Sequence, residues 1–420
     1  MPTASKKMIN GWAMYDWANS AYNLVITSTI FPAYYTAIAP SQVNLLGRTF
    51  ERSALASYTI SLSFLIIAIL SPILSSIADY KGNKKKFMRF FCYLGSLACV
   101  LMIFFTKDNI GFGLFLSILA SIGYCGSIVF YNAYLPEIAA EEDQDRVSAK
   151  GFAYGYIGSV LLMIGCLVII TLNDMLNWGL GSWPVRGSFV AVGIWWAAFA
   201  QITFNRLPHS HINENNPEHN ILVNGFYELK KVWNILQDNA ELKRFLRSFF
   251  FFNMGVQTVM YMATYFAADE LKMESTQLIV TILIIQLVAI LGAYLFSLLS
   301  KKTNNIFALS VLIILWIGVC VFAYNTYTAM QFYFLATAVG LIMGGVQSMA
   351  RSTYSKLLPP TKDTASFFSF YDVCDKTGTV LGTLSFGFVA ELSGGMRNSV
   401  LTLMAYFIIG FILLRFVNMK

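Results

Sequence analysis

The sequence predicts an all-α integral membrane protein of twelve transmembrane helices, arranged as two pseudo-symmetric six-helix bundles. The prediction rests on composition, on the length of the apolar runs and on the placement of the basic residues. Of the 420 residues, 57% are apolar and 12% are charged, whereas a soluble protein carries roughly 25% charged residues. Because so few charges cannot cover a large soluble surface, most of the exterior must face lipid, which excludes a soluble enzyme.

Apolar runs of membrane-spanning length recur along the whole chain. A helix that crosses the hydrocarbon core needs roughly 17–25 mostly apolar residues. Twelve runs meet this requirement, and the fifth and eleventh are the least regular because polar residues interrupt them. The runs fall at about 12–38, 54–78, 87–106, 110–136, 148–172, 184–205, 247–268, 277–300, 306–324, 329–354, 366–390 and 398–417.

The lysine and arginine residues are distributed unevenly between the two membrane faces. An even number of spans places both termini on one side, and 22 of the 29 basic residues lie on that side. This asymmetry follows the positive-inside rule, so both termini are predicted to be cytoplasmic in a bacterial inner membrane. The net charge of +7 then reflects topology and contact with anionic lipids, and no nucleic-acid partner is predicted. Lys376 lies within a span, and the opposite side carries Arg48, Arg52, Lys107, Arg186, Lys272 and Arg397.

A long connector separates six spans from six. It predicts an N-terminal bundle at 1–205, a cytoplasmic linker at 206–246 and a C-terminal bundle at 247–420. Lysines and apolar residues share the second part of the linker, 225–247, which favours an amphipathic helix lying in the membrane interface. The first part is polar and is expected to be a solvated loop rather than a metal or pH-sensing site, although it holds His209, His211 and His219.

A weak internal repeat supports the two-bundle organisation. Tyr134 lies 220 residues before Tyr354, and the stretch 158–161 (GSVL) lies 220 residues before 378–381 (GTVL). These pairs fall in the fourth and tenth spans and in the fifth and eleventh spans, as a repeated six-helix half requires.

The loop between the second and third spans carries a recognisable motif, Ser75-x-x-x-Asp79-Tyr80-Lys81-Gly82-Asn83-Lys84-Lys85. It resembles the loop signature of the major facilitator superfamily of secondary transporters, although Ser75 replaces the usual Gly and Tyr80 a usual base. The resemblance implies the major facilitator fold and a gating role for Asp79, Gly82 and Lys84. The Gly permits a tight turn, the Asp can cap a helix or pair across to the other half, and the bases anchor the cytoplasmic face. The alternative is a plain cytoplasmic turn with anchoring lysines.

Two further stretches resemble a particular branch of this superfamily, the vacuole effluxers. The first is the opening helix, 12–22 (WAMYDWANSAY) followed by 31–35 (FPAYY), and the second is 145–156 (DRVSAKGFAYGY). The resemblance implies twelve helices and export or exchange of small solutes. Arg146 in the second stretch and Arg351 at the cytoplasmic end of span ten are interpreted as gating residues. For Arg351 the alternative is a side chain that extends to the membrane interface.

Polar residues at membrane depth are expensive and are normally turned inward and used. The fold implied by the resemblance places spans one, four, seven and ten around a central cavity. For Asp16 the alternative is a cap at the helix start, and for the amides of span seven it is hydrogen bonding between helices without substrate. The predicted substrate-binding residues are Asp16, Asn19, Tyr22 and Asn23 on span one, Tyr131 and Asn132 on span four, Asn253, Gln257 and Tyr261 on span seven, and Gln347 on span ten.

Span eleven adds three charged residues, Asp372, Asp375 and Lys376. Asp372 and Lys376 are four residues apart and can form a purely structural ion pair on their own helix. The other interpretation is a coupling site, because two carboxylates that share one lysine leave one of them free to take a proton. The predicted proton-coupling residues are therefore Asp16, Asp375, Asp372 and Lys376.

These observations favour a monomeric secondary transporter that moves a small polar or amphipathic solute, such as an amino acid, by alternating access with proton-coupled efflux or exchange. A lipid or drug exporter of the same fold and a non-transporting membrane sensor or scaffold are the alternatives. An enzyme is not predicted, since the hydrolase, metalloprotease and nucleotide-binding motifs are absent from the sequence. No cofactor and no metal are expected.

Overall fold

The computed structural model describes residues 5–45, 47–208 and 221–419. The three linker histidines lie outside this part of the chain. The first span runs without a break from α1 (Lys6–Ala21) through a π-helix (Tyr22–Ile30) into α2 (Phe31–Ile38). The remaining helices of the first half are α3 (Arg52–Tyr80), α4 (Lys84–Leu101), α5 (Ile110–Ala133), α6 (Leu135–Ile138), α7 (Gln144–Met175) and α8 (Trp183–Arg206).

The second half follows a connector helix, α9 (Ile221–Asp238). Its predicted extent was wrong at the carboxyl end, because Asn239 breaks the helix and caps α10 by accepting a hydrogen bond from the Leu242 backbone N–H. The helix that contains the seventh span therefore begins at residue 240, before the apolar run that starts at 247. The helices are α10 (Ala240–Glu270), α11 (Ser275–Lys302), α12 (Asn305–Tyr324), α13 (Ala329–Leu357), α14 (Thr364–Ser393) and α15 (Ser399–Leu414).

The spans differ in how apolar they are. Eight of the described helices are long and apolar enough to cross a membrane, and α15 is apolar but has 16 residues. The first span, α10 and α14 fall outside this group. These three carry the polar residues Asp16, Asn253 and Asp375, so the spans weakest as membrane helices are those richest in candidate functional groups.

The two halves are built alike. α1 packs against α7 in the first half as α10 packs against α14 in the second. Both contacts use a small residue, since a Cβ on Gly158 would meet the Trp17 carbonyl at 2.6 Å and a Cβ on Gly378 would meet the Phe250 carbonyl at 3.4 Å. Small residues let membrane helices approach closely, and these two glycines are the pair related by the 220-residue repeat.

Contacts between the halves follow the same symmetry. α3 packs against α14, and α7 packs against α11. We call one end of the bundle the termini face, because it bears residues 5 and 419, the first and last described residues. Loops 81–83, 139–143, 303–304 and 358–363 also lie there. The other end is the opposite face.

The opposite face holds an element that the sequence did not predict. Strands β1 (Gln42–Leu45) and β2 (Arg48–Glu51) form an antiparallel hairpin between the first two spans. Val43 pairs with Phe50, and Gly47 has a φ of +77°. The cross-strand apolar pair and the glycine, which adopts positive φ readily, account for the hairpin.

Each half also has an arginine that ties helices together at the opposite face. Arg186 donates to the Ile103 carbonyl at 3.1 Å in the first half. Arg397 donates to the Tyr324 carbonyl in the second half and lies 3.9 Å from the Glu270 carboxylate. In both cases the last span of a half is joined to the end of its third span. These contacts stay inside one half, so they do not hold the two halves together.

The connector helix contacts both halves at the termini face. α9 packs against α3 and against α10 and α14, and it buries Val232 and Leu236. Lys231 forms ion pairs at 3.0 Å with Glu228 on its own helix and with Asp363 just before α14. Burial lowers the pKa of Lys231, but its hydrogen bonds to these two carboxylates outweigh that effect, so the pKa is raised.

Candidate functional site

A buried ion pair joins the two halves between α1 and α13. The Arg351 Nη1 atom lies 3.3 Å from Asp16 Oδ2, and the two side chains are 4% and 10% exposed. Neither alternative for these residues holds. Asp16 is not a helix cap, because Ser5 caps α1, and Arg351 turns inward rather than to the membrane interface. Tyr131 also donates to Asp16 Oδ2 at 2.7 Å.

The Arg351 guanidinium is enclosed by residues of the first half. Its Nε donates to Ser148 Oγ at 2.9 Å, its Nη2 to the Ser148 carbonyl at 2.8 Å, and its Nη1 to Asn132 Oδ1 at 3.3 Å. The guanidinium carbon lies 4.2 Å from the centre of the Phe152 ring and 4.8 Å from that of Trp12. We call this enclosure the arginine box and define it by Trp12, Asp16, Tyr131, Asn132, Ser148 and Phe152.

One glycine makes the box possible. A Cβ on Gly151 would come within 2.5 Å of Asp16 Oδ2, 2.9 Å of Arg351 Nη2 and 2.9 Å of the Trp12 ring. Real side chains do not approach so closely, so any larger residue would displace the ion pair or the ring. The motif at 145–156 thus includes a position where the close packing of α1 on α7 requires the absence of a side chain.

A first clamp closes the termini face between α3 and α14. Asp79 Oδ2 accepts hydrogen bonds from the Ser366 backbone N–H and hydroxyl, both at 2.7 Å, and Asp79 Oδ1 accepts one from the Ala365 N–H at 3.3 Å. A carboxylate at a helix start accepts hydrogen bonds from N–H groups that lack partners within the helix, and it interacts favourably with the positive end of the helix dipole. Gly82 follows with a φ of +61° and provides the tight turn.

Lys84 completes the first clamp. It is buried, lies 3.7 Å from Asp79 Oδ1, forms an ion pair with Glu137 and donates to Thr364 Oγ1 at 2.9 Å. Thr364 in turn donates to Glu137 at 2.7 Å. Lys84 therefore bridges the two halves inside the protein and does not anchor the membrane surface as the simpler interpretation of the motif assumed.

A second clamp lies between α7 and the second half. Asp145, in the first turn of α7, pairs with Lys356 at 2.7 Å and accepts hydrogen bonds from Ser300 and Asn305, both at 2.8 Å. The sequence analysis chose the neighbouring Arg146 instead. The structure does not bring Arg146 to the other half: its side chain is 70% exposed and pairs with Asp143 on the same segment.

A further contact between the halves lies deeper in the bundle. The Tyr156 hydroxyl donates to Gln347 Oε1 at 2.8 Å. The Ser148 hydroxyl, nearer the termini face, donates to the Ser348 carbonyl at 2.8 Å. With the arginine box and the two clamps, these contacts form a polar seam between the halves. Hereafter, "seam" refers to this set of contacts.

A second polar cluster lies within the second half. Asp375 Oδ1 accepts hydrogen bonds from Asn253 at 2.6 Å and Gln257 at 2.8 Å, and Asp375 Oδ2 lies 2.6 Å from Lys376 Nζ. Asp372 Oδ1 lies 3.6 Å from the same lysine nitrogen. The structure thus places one lysine between two carboxylates. The two amides predicted to share a face of α10, Asn253 and Gln257, therefore both bind the Asp375 carboxylate on α14.

This C-half cluster is less completely enclosed than the arginine box. The side chains of Asp375 and Lys376 are 14% and 11% exposed. Lys376 Nζ lies 5.5 Å from the Phe64 ring of α3, and Tyr261 lies against the same ring at 6.3 Å. Among the described residues, the Asp372 Oδ2 atom is buried without a hydrogen-bond partner.

Three predicted residues of the first span stand apart from both clusters. Tyr22 is buried against the rings of Tyr124 and Trp196 inside the first half, so it packs in the core. Asn19 is buried, and within the described part of the chain its Nδ2 atom has no hydrogen-bond partner. Asn23 is partly exposed and lies in the π-helix, a distortion that often marks functional positions.

Sequence reasoning missed several residues of the seam. Their chemistry was visible, since each is a polar or aromatic group near the end of a span, but their partners lie far along the chain. Asp145 and Lys356, for example, are separated by 211 residues. Among the residues missed are Trp12, Glu137, Asp145, Ser148, Phe152, Tyr156, Ser300, Asn305, Lys356, Thr364 and Ser366.

Comparisons with known proteins agree with this architecture. The chain is 34% identical over 414 residues to an uncharacterized MFS-type transporter, YxiO, of Bacillus subtilis, covering 98% of this chain and 95% of that one. It is 24% identical to autophagy-related protein 22 of Chaetomium globosum, covering 94% and 77% of the two chains.

Solved transporters share the fold. The chain superposes on FucP in its outward conformation with a TM-score of 0.74 and 12% identity, covering 98% of this chain and 99% of that one. For the proton:xylose symporter XylE the TM-score is 0.75 and the identity 12%, with 98% and 95% covered. The predicted twelve-helix, two-bundle fold is thereby confirmed.

The predicted family is confirmed as well. Residues 4–420 match the family described as "Vacuole effluxer Atg22 like". The chain belongs to this family of major facilitator superfamily transporters.

Proposed function

We propose that this multi-pass membrane transporter moves a small polar or amphipathic solute, an amino acid or a similar compound, by alternating access, with proton-coupled efflux or exchange. The observation that carries the proposal is the position of the two polar clusters. One set of charges joins the halves at one membrane face, and the other lies partly exposed in one half. A gate and a solute site are the functions that suit these two positions.

The seam supports alternating access. Its ion pairs and hydrogen bonds join residues of the first half to residues of the second, so they must break when the halves separate at the termini face. Buried charges of this kind are costly unless they are paired, and a static scaffold would gain more from apolar packing. A gate has a reason to bear the cost, since its contacts must be exchangeable with water.

The C-half cluster supports binding of a polar solute and coupling to protons. Asp375 and Lys376 present opposite charges side by side, and Asn253 and Gln257 hold Asp375 in place. A solute with an amino and a carboxylate group matches this pair. Two carboxylates on one lysine also provide a site that changes its proton count when the solute binds.

The relatives add support of a weaker kind. The family name describes a vacuole effluxer, and two of the structural neighbours are described as proton symporters. We further propose that the protein is a monomer in a bacterial inner membrane with both termini in the cytoplasm. The division into 1–205, 206–246 and 247–420 is part of this proposal, with the α9–α10 break at 239 inside the linker region.

Solute flux in proteoliposomes tests the proposal. Purified protein is reconstituted, a pH gradient is imposed, and uptake of radiolabelled amino acids is measured. We expect saturable uptake that the gradient accelerates and that Asp375→Asn reduces by about tenfold or more, because loss of a charge partner typically costs 2–5 kcal/mol. Arg146→Gln, a change at an exposed arginine, is the matched control and should leave uptake intact.

Two results would count against it. Absence of saturable uptake for every amino acid tested would contradict the substrate class, and lipid or drug exchange would then be measured in the same vesicles. Uptake that ignores the pH gradient in wild-type protein, and that Asp375→Asn leaves unchanged, would remove proton coupling through this cluster.

A further inference from the structure

We propose that the arginine box is a binding site for a guanidinium- or amine-bearing solute, which replaces Arg351 when the halves separate at the termini face. The inference rests on the proposed function and names a narrower solute class. Arg351 belongs to the second half, whereas all six residues of the box belong to the first. Separation of the halves therefore removes the occupant and leaves the receptor behind.

The box is built for a donor-only cation. The four atoms that contact the guanidinium nitrogens, namely Asp16 Oδ2, Asn132 Oδ1, the Ser148 carbonyl oxygen and Ser148 Oγ, all accept hydrogen bonds from it. A guanidinium has five N–H donors and no acceptor, and an ammonium has three donors and no acceptor. A solute that carries a carboxylate at this position would face the negative charge of Asp16, together with the Asn132 Oδ1 and Ser148 carbonyl oxygens, which cannot donate to it.

Aromatic rings make the same selection. The Phe152 and Trp12 rings lie 4.2 and 4.8 Å from the guanidinium carbon, and the Tyr131 ring lies at 5.5 Å. Rings at these distances attract cations by about 0.5–2 kcal/mol each. They offer nothing comparable to a neutral polar group.

The box does not depend on Arg351 for its shape. The Trp12 indole donates to the Tyr131 carbonyl at 3.0 Å and stacks on the Tyr131 ring at 4.4 Å, and Tyr131 donates to Asp16. Gly151 leaves the space that Asp16 and Trp12 fill. These contacts all lie within the first half, so they persist when the halves separate.

Departure of Arg351 leaves the Asp16 carboxylate without its counter-charge. An uncompensated charge at this depth is unfavourable, and an incoming cation removes that cost. A neutral solute would not. The same argument makes Arg351 a built-in competitor, since the box holds either the arginine of the second half or the cation of the solute.

Binding of methylguanidinium by Arg351→Met tests the site. The methionine keeps an apolar stem between the rings and empties the place of the guanidinium. We expect millimolar methylguanidinium to raise the Tm of this variant in detergent by mass action, and equal concentrations of urea, its neutral analogue, to leave the Tm unchanged. The double variant Arg351→Met with Asp16→Asn should lose the response, and Arg146→Met should respond no more than wild type.

The same small Tm change in the single and double variants would overturn the proposal. If Arg351→Met does not fold, the proposal is tested on the wild-type protein by measuring transport of radiolabelled agmatine, which carries a guanidinium and an amine. We expect saturable agmatine flux in proteoliposomes, reduced about tenfold or more by Asp16→Asn.

The flux measurement also separates the two proposals. Amino-acid uptake without agmatine flux in the same vesicles would overturn the cation site and leave the proposed function standing. Agmatine flux without amino-acid uptake would support the cation site and contradict the amino-acid assignment. A methylguanidinium response of Arg351→Met without flux of any solute would contradict transport, while the affinity of the box for cations would stand.

Discussion

The arginine box and the C-half cluster use similar chemistry in opposite settings. Each joins a carboxylate, a basic side chain and amide groups at membrane depth. In the box the carboxylate belongs to the first half and the arginine it holds to the second, and Arg351 is 3% exposed overall. In the cluster Asp375, Lys376, Asn253 and Gln257 all come from one half, and the Asp375 side chain is 14% exposed. The residue types are similar, so the difference lies in which half supplies each residue. A contact between the two halves forms or breaks with the conformation. A cluster within one half can stay intact and bind a solute throughout the cycle.

The two clamps of the seam show a second contrast. In the first, an acid at the end of α3, Asp79, holds the start of α14 at Ala365 and Ser366. In the second, the acid Asp145 is itself at the start of α7 and is held by the second half. Asp145 lies 220 residues before Ala365, so the starts of α7 and α14 are equivalent positions of the repeat. The start of α7 supplies the carboxylate, whereas the start of α14 donates hydrogen bonds to a carboxylate from the other half. The repeat conserves the place of the contact but exchanges the partner that supplies the charge.

Asp16→Ala is expected to have the largest effect on the seam. It leaves the buried Arg351 guanidinium without a counter-charge, and removal of one partner of a buried pair typically costs 3–5 kcal/mol. The closed arrangement at the termini face should lose about that much free energy. Maleimide labelling of a cysteine introduced at Ser348, in a cysteine-free background, measures this opening. If the variant were labelled no faster than the same Ser348→Cys protein with Asp16 intact, the ion pair would not hold the halves together.

Gly151→Ala should have the next largest effect. The added methyl group displaces Asp16 or Trp12, and overpacking of this kind costs about 1–3 kcal/mol. The matched control is Gly165→Ala on the same helix, where a Cβ meets nothing within 4 Å and helix propensity favours alanine by about 0.5–1 kcal/mol. Thermal unfolding in detergent compares the two. Equal Tm values would contradict the close approach of α1 to α7.

Asp79→Asn and Asp145→Asn should weaken the two clamps by similar amounts. Each variant keeps an acceptor oxygen but removes the charge, so a hydrogen bond that contributed about 1.5–3 kcal/mol becomes a neutral one that contributes about 0.5–1.5 kcal/mol. Because the clamps use different residues and helices, their effects on Ser348 labelling should add in the double variant. A double variant no more open than either single variant would mean that one clamp alone closes this face.

Arg146→Ala should have the smallest effect. Its side chain is 70% exposed and pairs locally with Asp143, and such surface pairs contribute about 0.2–1 kcal/mol. Ser348 labelling and Tm should both stay close to wild type. An opening as large as that of Asp145→Asn would restore the gating role that the sequence alone suggested for Arg146.

The sequence predicted the architecture well because its signals are local. Span lengths, the asymmetry of basic residues and the motif around Asp79 and Gly82 can be read within short windows. The polar faces of spans one, seven and eleven also follow from helical spacing. These predictions identified Asp16, Arg351 and Asp375 as groups of interest without showing which of them meet.

The remaining features depend on contacts that no short window contains. Asp16 and Arg351 are 335 residues apart, and their pairing is fixed only when two helices from different halves pack together. Arg146 was predicted to be a gating residue, but the adjacent Asp145 makes the contact, because the orientation of α7 turns Asp145 toward the second half. Tyr22 flanks the polar face of the first span, yet aromatic packing in the first half keeps it in the core.

The distance between spin labels at Lys86 and Lys302, on the termini face of opposite halves, tests the central claim most directly. Pulsed dipolar spectroscopy would compare wild-type protein with Arg351→Met and Asp375→Asn in a cysteine-free background. The seam account predicts a longer distance or a second, longer population for Arg351→Met and an unchanged distribution for Asp375→Asn. An unchanged distribution for Arg351→Met, or equal lengthening in both variants, would contradict the assignment of the seam to closure and of the C-half cluster to the solute.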